Sequence, residues 1–118
     1  MSDPARIRLA LDYMAEALAD LETLTRGRVR QDYLADRIAQ RAVERCLEVI
    51  SEASRKLPDA MKTAHPEIPW RKVAGIGNVL RHDYDEVDAG VIWTAATVEV
   101  VPLRAAVAAM LAEIGGKP

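Results

Sequence analysis

The sequence predicts a single all-α domain, an up-and-down bundle of four main helices. Three observations lead there. Alanine and leucine together account for 31 of the 118 residues. Long stretches carry neither proline nor glycine, and apolar side chains recur within them at helical spacing. At this length residues 1–118 make one domain, large enough for a core.

The first helix lies between Pro4 and Gly27. Ile7, Leu11, Met14, Leu18 and Leu21 are spaced four, three, four and three, which places them along one stripe. Asp3 is the expected N-cap, with Pro4 at the first helical position. A second, long helix is expected over roughly residues 31–57, because Leu34/Ala35, Ile38/Ala39, Ala42/Val43, Cys46/Leu47 and Val49/Ile50 recur about a turn apart. Arg41, Arg45, Glu48 and Glu52 fill its polar side, and Cys46 falls on the apolar face as a buried, inert thiol. Residues 58–69 contain Pro58, Pro66 and Pro69 and read as a connector, with one short helical turn around Asp59–Ala64. A third helix follows from Pro69 to His82. The fourth apolar segment, Val91–Ile114, is interrupted by Pro102 and predicts a kinked helix that Gly115 and Gly116 end.

Composition narrows the function. Sixteen basic against 18 acidic residues leave a net charge of −2, which excludes a protein that grips nucleic acid through a bulk basic field. Five aromatic residues, none of them phenylalanine, give little material for a base-stacking platform. Cys46, the single cysteine, cannot form an internal disulfide or a cysteine metal site, which suits a reducing, cytoplasmic setting. No uninterrupted apolar run reaches the roughly 18 residues needed to span a membrane. With no metal motif, catalytic triad or phosphate-binding glycine loop, neither metal nor cofactor is expected.

Unusual chemistry is confined to the third helix and its exit, which carry Trp70, Arg71, Gly75, Gly77, Asn78, Arg81, His82 and Tyr84. At about 100° per residue Arg71, Gly75, Asn78 and His82 share one line, opposite Val73, Ile76 and Leu80. Two glycines inside a helix cost on the order of 1 kcal/mol each against alanine, so tight helix packing, or less often a ligand, has to require them. A histidine can exchange a proton near neutral pH, and a tyrosine hydroxyl can meet a phosphate or act as an acceptor nucleophile. His82 and Tyr84 act together only if the helix ends near His82. The four acids Asp83, Asp85, Glu86 and Asp88 flank them, whereas residues 26–45 hold six arginines that could steer a polyanion.

The segment His65-Pro-Glu-Ile-Pro-Trp-Arg71, then Ala-Gly-Ile-Gly-Asn-Val-Leu-Arg-His-Asp-Tyr84, Val87-Asp88 and Trp93, resembles the HepT-like family of the HEPN superfamily. The likeness runs from Asp3-Pro-Ala-Arg through Leu47-Glu-Val-Ile-Ser-Glu-Ala53 to Pro102. It implies an all-helical homodimer and a metal-independent endoribonuclease toxin, with RNA as a transient substrate. It also implies a partner, a minimal nucleotidyltransferase antitoxin that adenylylates the toxin at Tyr84. The family signature is an arginine, four to six residues, histidine, any residue, tyrosine. His82 and Tyr84 match it, Asn78 matches the polar residue that commonly follows the arginine, and Gly77 stands where the arginine belongs. Arg81, one turn beyond Gly77 on the same face, is the candidate replacement cation. The alternative is a noncatalytic HEPN module that binds, or is modified by, the nucleotidyltransferase.

Overall fold

A computed structural model describes residues 3–82 and 87–115, and helix dominates them. Helix α1 spans Pro4–Thr25; the Asp3 carboxylate accepts the Ala5 N–H at 2.9 Å and Pro4 takes the first position, as the sequence predicts. Its stripe of Leu11, Met14, Leu18 and Leu21 is buried. Beyond it Gly27 turns the chain at φ +74, a conformation that costs glycine little and other residues much.

The single helix expected over residues 31–57 is instead two, α2 (Arg30–Leu34) and α3 (Arg37–Ser54). Asp36 causes the break. Its side chain accepts the Ala39 N–H at 3.0 Å, capping α3, and also receives the Arg28 guanidinium at 3.0 Å. The Ala39 N–H and then Arg28 hold its carboxyl below the usual carboxylate range. The Gln40 amide closes the other side of the break by donating to the carbonyls of Tyr33 and Leu34 at 3.0 and 3.2 Å. The interruption rotates the faces: Leu34 and Ile38, expected in the core, are 40% and 78% exposed, whereas Ala39, Val43, Leu47 and Ile50 are buried. Cys46 is partly buried against the core, and burial pushes its thiol up, away from the reactive thiolate.

Helix α4 (Asp59–Thr63) is the short turn expected in the connector. The Trp70 indole N–H donates to the carbonyls of Lys62 and His65 at 3.0 and 3.1 Å, which ties this connector to the start of α5 (Trp70–His82). After the undescribed residues, Asp88 caps α6 (Ala89–Thr94) by accepting the Gly90 N–H at 2.7 Å. A π turn over Ala95–Glu99 leads into α7 (Val100–Gly115). The interruption expected at Pro102 is therefore this wider turn immediately before it. Proline has no N–H to offer the preceding turn and its ring crowds the carbonyl four residues back, so the helix widens there. By length and composition Ala89–Gly115 is long and apolar enough to cross a membrane. In the fold its Leu103, Ala106, Val107 and Met110 are buried, Glu99 pairs with Lys72 at 3.2 Å and Arg104 donates to the Leu18 carbonyl at 3.2 Å.

Helix α1 packs against both α3 and α7, and α3 against both α1 and α5, so α5 sits at one flank of the bundle. The described residues are thus all-helical, as expected, and compatible with a bundle, although α2, α4 and α6 are short helices beyond the long ones. Helix α2 closes on α6 through Tyr33, 1% exposed, whose ring lies 5.2 Å from that of Trp93. The Tyr33 hydroxyl has no hydrogen-bond partner among the described residues, and burial, followed by the nearby Glu44 charge, pushes its ionisation far above the ordinary phenol value. A buried hydroxyl without a partner costs about 1–3 kcal/mol. Tyr33→Phe is therefore expected to raise the urea unfolding midpoint. The unfolded phenol ionises near pH 10 while the folded one stays neutral, so wild-type stability is unaffected by this group below that pH and falls as pH rises beyond it. The Phe variant lacks that part of the alkaline loss; parallel pH–stability curves for the two proteins would contradict the assignment.

Candidate functional site

The site begins with the seam between α3 and α5. Arg55 and Ser51 reach Ala74, and Ser51 also reaches Gly77, so the two helices run antiparallel. One hydroxyl serves both directions: Ser51 Oγ donates to the Ala74 carbonyl at 2.8 Å and accepts the Gly77 N–H at 3.1 Å. Ser51 is 2% exposed, a buried polar group fully used. The Arg55 guanidinium adds two contacts to the same carbonyl, at 3.0 and 3.2 Å.

This seam explains one of the two helical glycines. A Cβ on Gly77 would stand 2.9 Å from Ser51 Oγ and 3.1 Å from Ser51 Cβ, so glycine is required for α3 to approach. A Cβ on Gly75 would meet nothing within 4 Å, and no close contact requires that glycine. Ser51 and Arg55 were not singled out in the sequence. Ser51 sits within an apolar helical stripe, and only its long-range partner on α5 marks it as more than a small core residue.

Near the end of α5, Arg81 comes beside the second half of α3, where Glu48 and Glu52 lie. There a groove of about 1030 Å³ opens between α1 and α3, with Arg81 of α5 among the side chains lining it. Arg6, Arg45, Lys56 and Arg81 supply positive charge, and Asp3, Glu48 and Glu52 negative charge. Leu9 and Tyr13, each 52% exposed, give it an apolar edge on α1. Arg45 already pairs with Glu48 at 3.4 Å. Of the six arginines between residues 26 and 45, Arg45 is the one that lines this groove; Arg28 is engaged with Asp36 and Arg26 with Glu22. The expected steering surface is thus largely turned elsewhere.

Among the predicted site residues, Arg81 is exposed and lines the groove, and Asn78 is exposed but is not among the lining side chains. Helix α5 is described as far as His82. The His82 side chain and Tyr84 lie outside the described residues. Asp88, read in the sequence as one of four acids beside the site, spends its carboxylate on the Gly90 and Val91 N–H groups. His65 faces Glu67 at 3.5 Å. Among the described residues no three His, Cys, Asp or Glu side chains are grouped to hold a metal ion.

Residues 14–110 match the protein family described as ribonuclease HepT-like. The chain belongs to that family. It is 40% identical over 94 residues to "Probable ribonuclease HepT" of Thermococcus cleftensis, a match covering 80% of this chain and 86% of the relative. It is 30% identical over 111 residues to "Putative RNase MJ1216" of Methanocaldococcus jannaschii, covering 94% and 92% of the two chains. A third relative, "Putative RNase TTE0752" of Caldanaerobacter subterraneus, is 32% identical over 95 residues, covering 78% of this chain and 85% of the relative. No solved structure matches the chain. Membership of a ribonuclease family makes RNA the substrate class to weigh.

Proposed function

We propose that this chain is a metal-independent endoribonuclease of the toxin type, acting in the cytoplasm as a homodimer. The observation that carries the reading is the coincidence of a ribonuclease HepT-like match over residues 14–110 with a groove into which the residue preceding His82 projects a guanidinium. In this mechanism His82 takes the proton of a ribose 2′-hydroxyl. The freed oxygen attacks the adjacent phosphorus, the bond to the 5′-oxygen breaks and that oxygen takes a proton from solvent, leaving a 2′,3′-cyclic phosphate and a 5′-hydroxyl end. A cation stabilises the charge that gathers on the non-bridging oxygens. Asn78 lies one helical turn before His82 on the same face, where its amide can donate to the substrate.

Tyr84 is the proposed regulatory position. A minimal nucleotidyltransferase would transfer adenylate to it: the phenol oxygen attacks the α-phosphate of ATP and pyrophosphate leaves. The product adds bulk and negative charge beside His82 and opposes RNA entry. The half-exposed Leu9 and Tyr13, flanked by both signs of charge, suit a surface that meets its own copy across a two-fold axis and pools the cations of two grooves.

Incubation of the purified protein with single-stranded RNA in EDTA tests the reading. Fragments ending in cyclic phosphate are expected, and on addition of the nucleotidyltransferase and ATP, adenylate on Tyr84 with cleavage suppressed. Intact RNA beside a fully adenylylated Tyr84 would instead identify a noncatalytic module modified by its partner.

A further inference from the structure

Gly77 does more than admit Ser51. The Arg81 guanidinium folds back over it, with Nη1 3.4 Å from the place a Cβ on residue 77 would occupy. Helical side chains lean toward the N-terminus and onto the residue four positions earlier, so the direction is the ordinary one. What differs is the floor: residue 77 has no side chain, and Ser51 of α3 approaches the same point from the other side. Arg81 makes no ion pair among the described residues, although Glu48 and Glu52 line the same groove. Glu48 is occupied by Arg45. An exposed planar fork with five donors, held at the mouth of a groove and next in sequence to His82, matches the geometry of a phosphate better than that of a single carboxylate.

We propose that Arg81 contacts the phosphate of RNA at the site of cleavage, and that Gly77, kept small by Ser51, is the positioning residue that seats it. The identity of the anion rests on the ribonuclease reading; the seat itself rests on the Gly77–Arg81 geometry. A donor that stabilises charge developing in the transition state is worth about 10²–10³ in kcat. Arg81→Gln should therefore lower kcat by that factor with a much smaller rise in KM. Arg81→Lys, which keeps the charge and loses the fork, should fall between them. Gly77→Ala places a methyl group between Ser51 and the guanidinium, so it should lower both the urea midpoint and kcat while leaving the Arg81 charge in place.

The closing experiment pairs cleavage with binding of a 2′-O-methyl RNA oligomer, which cannot be cut. Removing one phosphate contact should reduce the slope of log K against log salt for a single strand by about 0.7. Cleavage by Arg81→Gln within two-fold of wild type, with an unchanged salt slope, would overturn the proposal. If the wild-type protein cleaves no RNA, the ribonuclease reading fails on its own. The binding arm then decides the seat: a shallower slope for Arg81→Gln supports it and an unchanged slope overturns it. Unchanged urea midpoints for Arg81→Gln and Arg81→Lys separate loss of contact from loss of fold.

Discussion

His82→Ala is expected to reduce RNA cleavage by about 10²–10⁴-fold, the range a positioned general base contributes. Neither of the other candidate residues on α5 can replace it as a base: Arg81 is a permanent cation and Asn78 has no basic group. The wild-type rate should rise with pH through the range in which an imidazole loses its proton, and this limb should vanish in the variant. Far-UV circular dichroism provides the control for α5, whose described residues run to His82. Residual cleavage at the wild-type rate would assign the activity to another group or to a contaminant. Adenylylation of Tyr84 in the His82→Ala protein is predicted to persist, because the acceptor is the phenol and not the imidazole.

The pattern of helix breakers carried most of the architecture. Pro4 and Gly27 bracket α1, the proline-rich stretch after residue 57 contains α4, and Trp70 to His82 is α5. The break at Asp36 was hidden because an aspartate within an amphipathic helix looks like another solvent-facing residue; only its bonds to Ala39 and Arg28 reveal a cap. The π turn was hidden for a related reason. Pro102 announces a disturbance, but where the helix widens depends on which carbonyls can find other donors, and here that happens over Ala95–Glu99.

The site was legible in part. Helical spacing placed Gly77 and Arg81 on one face of α5, yet periodicity within a segment says nothing of what lies across from it. Ser51 is 26 positions from Gly77, and their contact follows from the antiparallel crossing of α3 and α5. The same crossing selects Arg45 from a run of arginines and leaves the others outside the groove.

Placing arginine at residue 77, where the HepT-like signature has it, is predicted to destabilise the protein rather than to strengthen catalysis. Any side chain there begins with a Cβ 2.9 Å from Ser51 Oγ and 3.1 Å from Ser51 Cβ. Ser51 cannot swing aside without loss, because its hydroxyl joins the Ala74 carbonyl and the Gly77 N–H in a buried seam. The helices must separate or the hydroxyl must give up its bonds, and overpacking of this kind costs about 1–3 kcal/mol. The new side chain would also displace the Arg81 guanidinium, whose Nη1 lies 3.4 Å from the same point. Gly77→Arg should therefore lower the urea midpoint, and in a Ser51→Ala background its cost should shrink because the closest contact is gone, a coupling that a double-mutant cycle measures directly. Equal costs in the two backgrounds would show that α3 and α5 yield at this point. The glycine would then reflect something other than the reach of Ser51 across the seam.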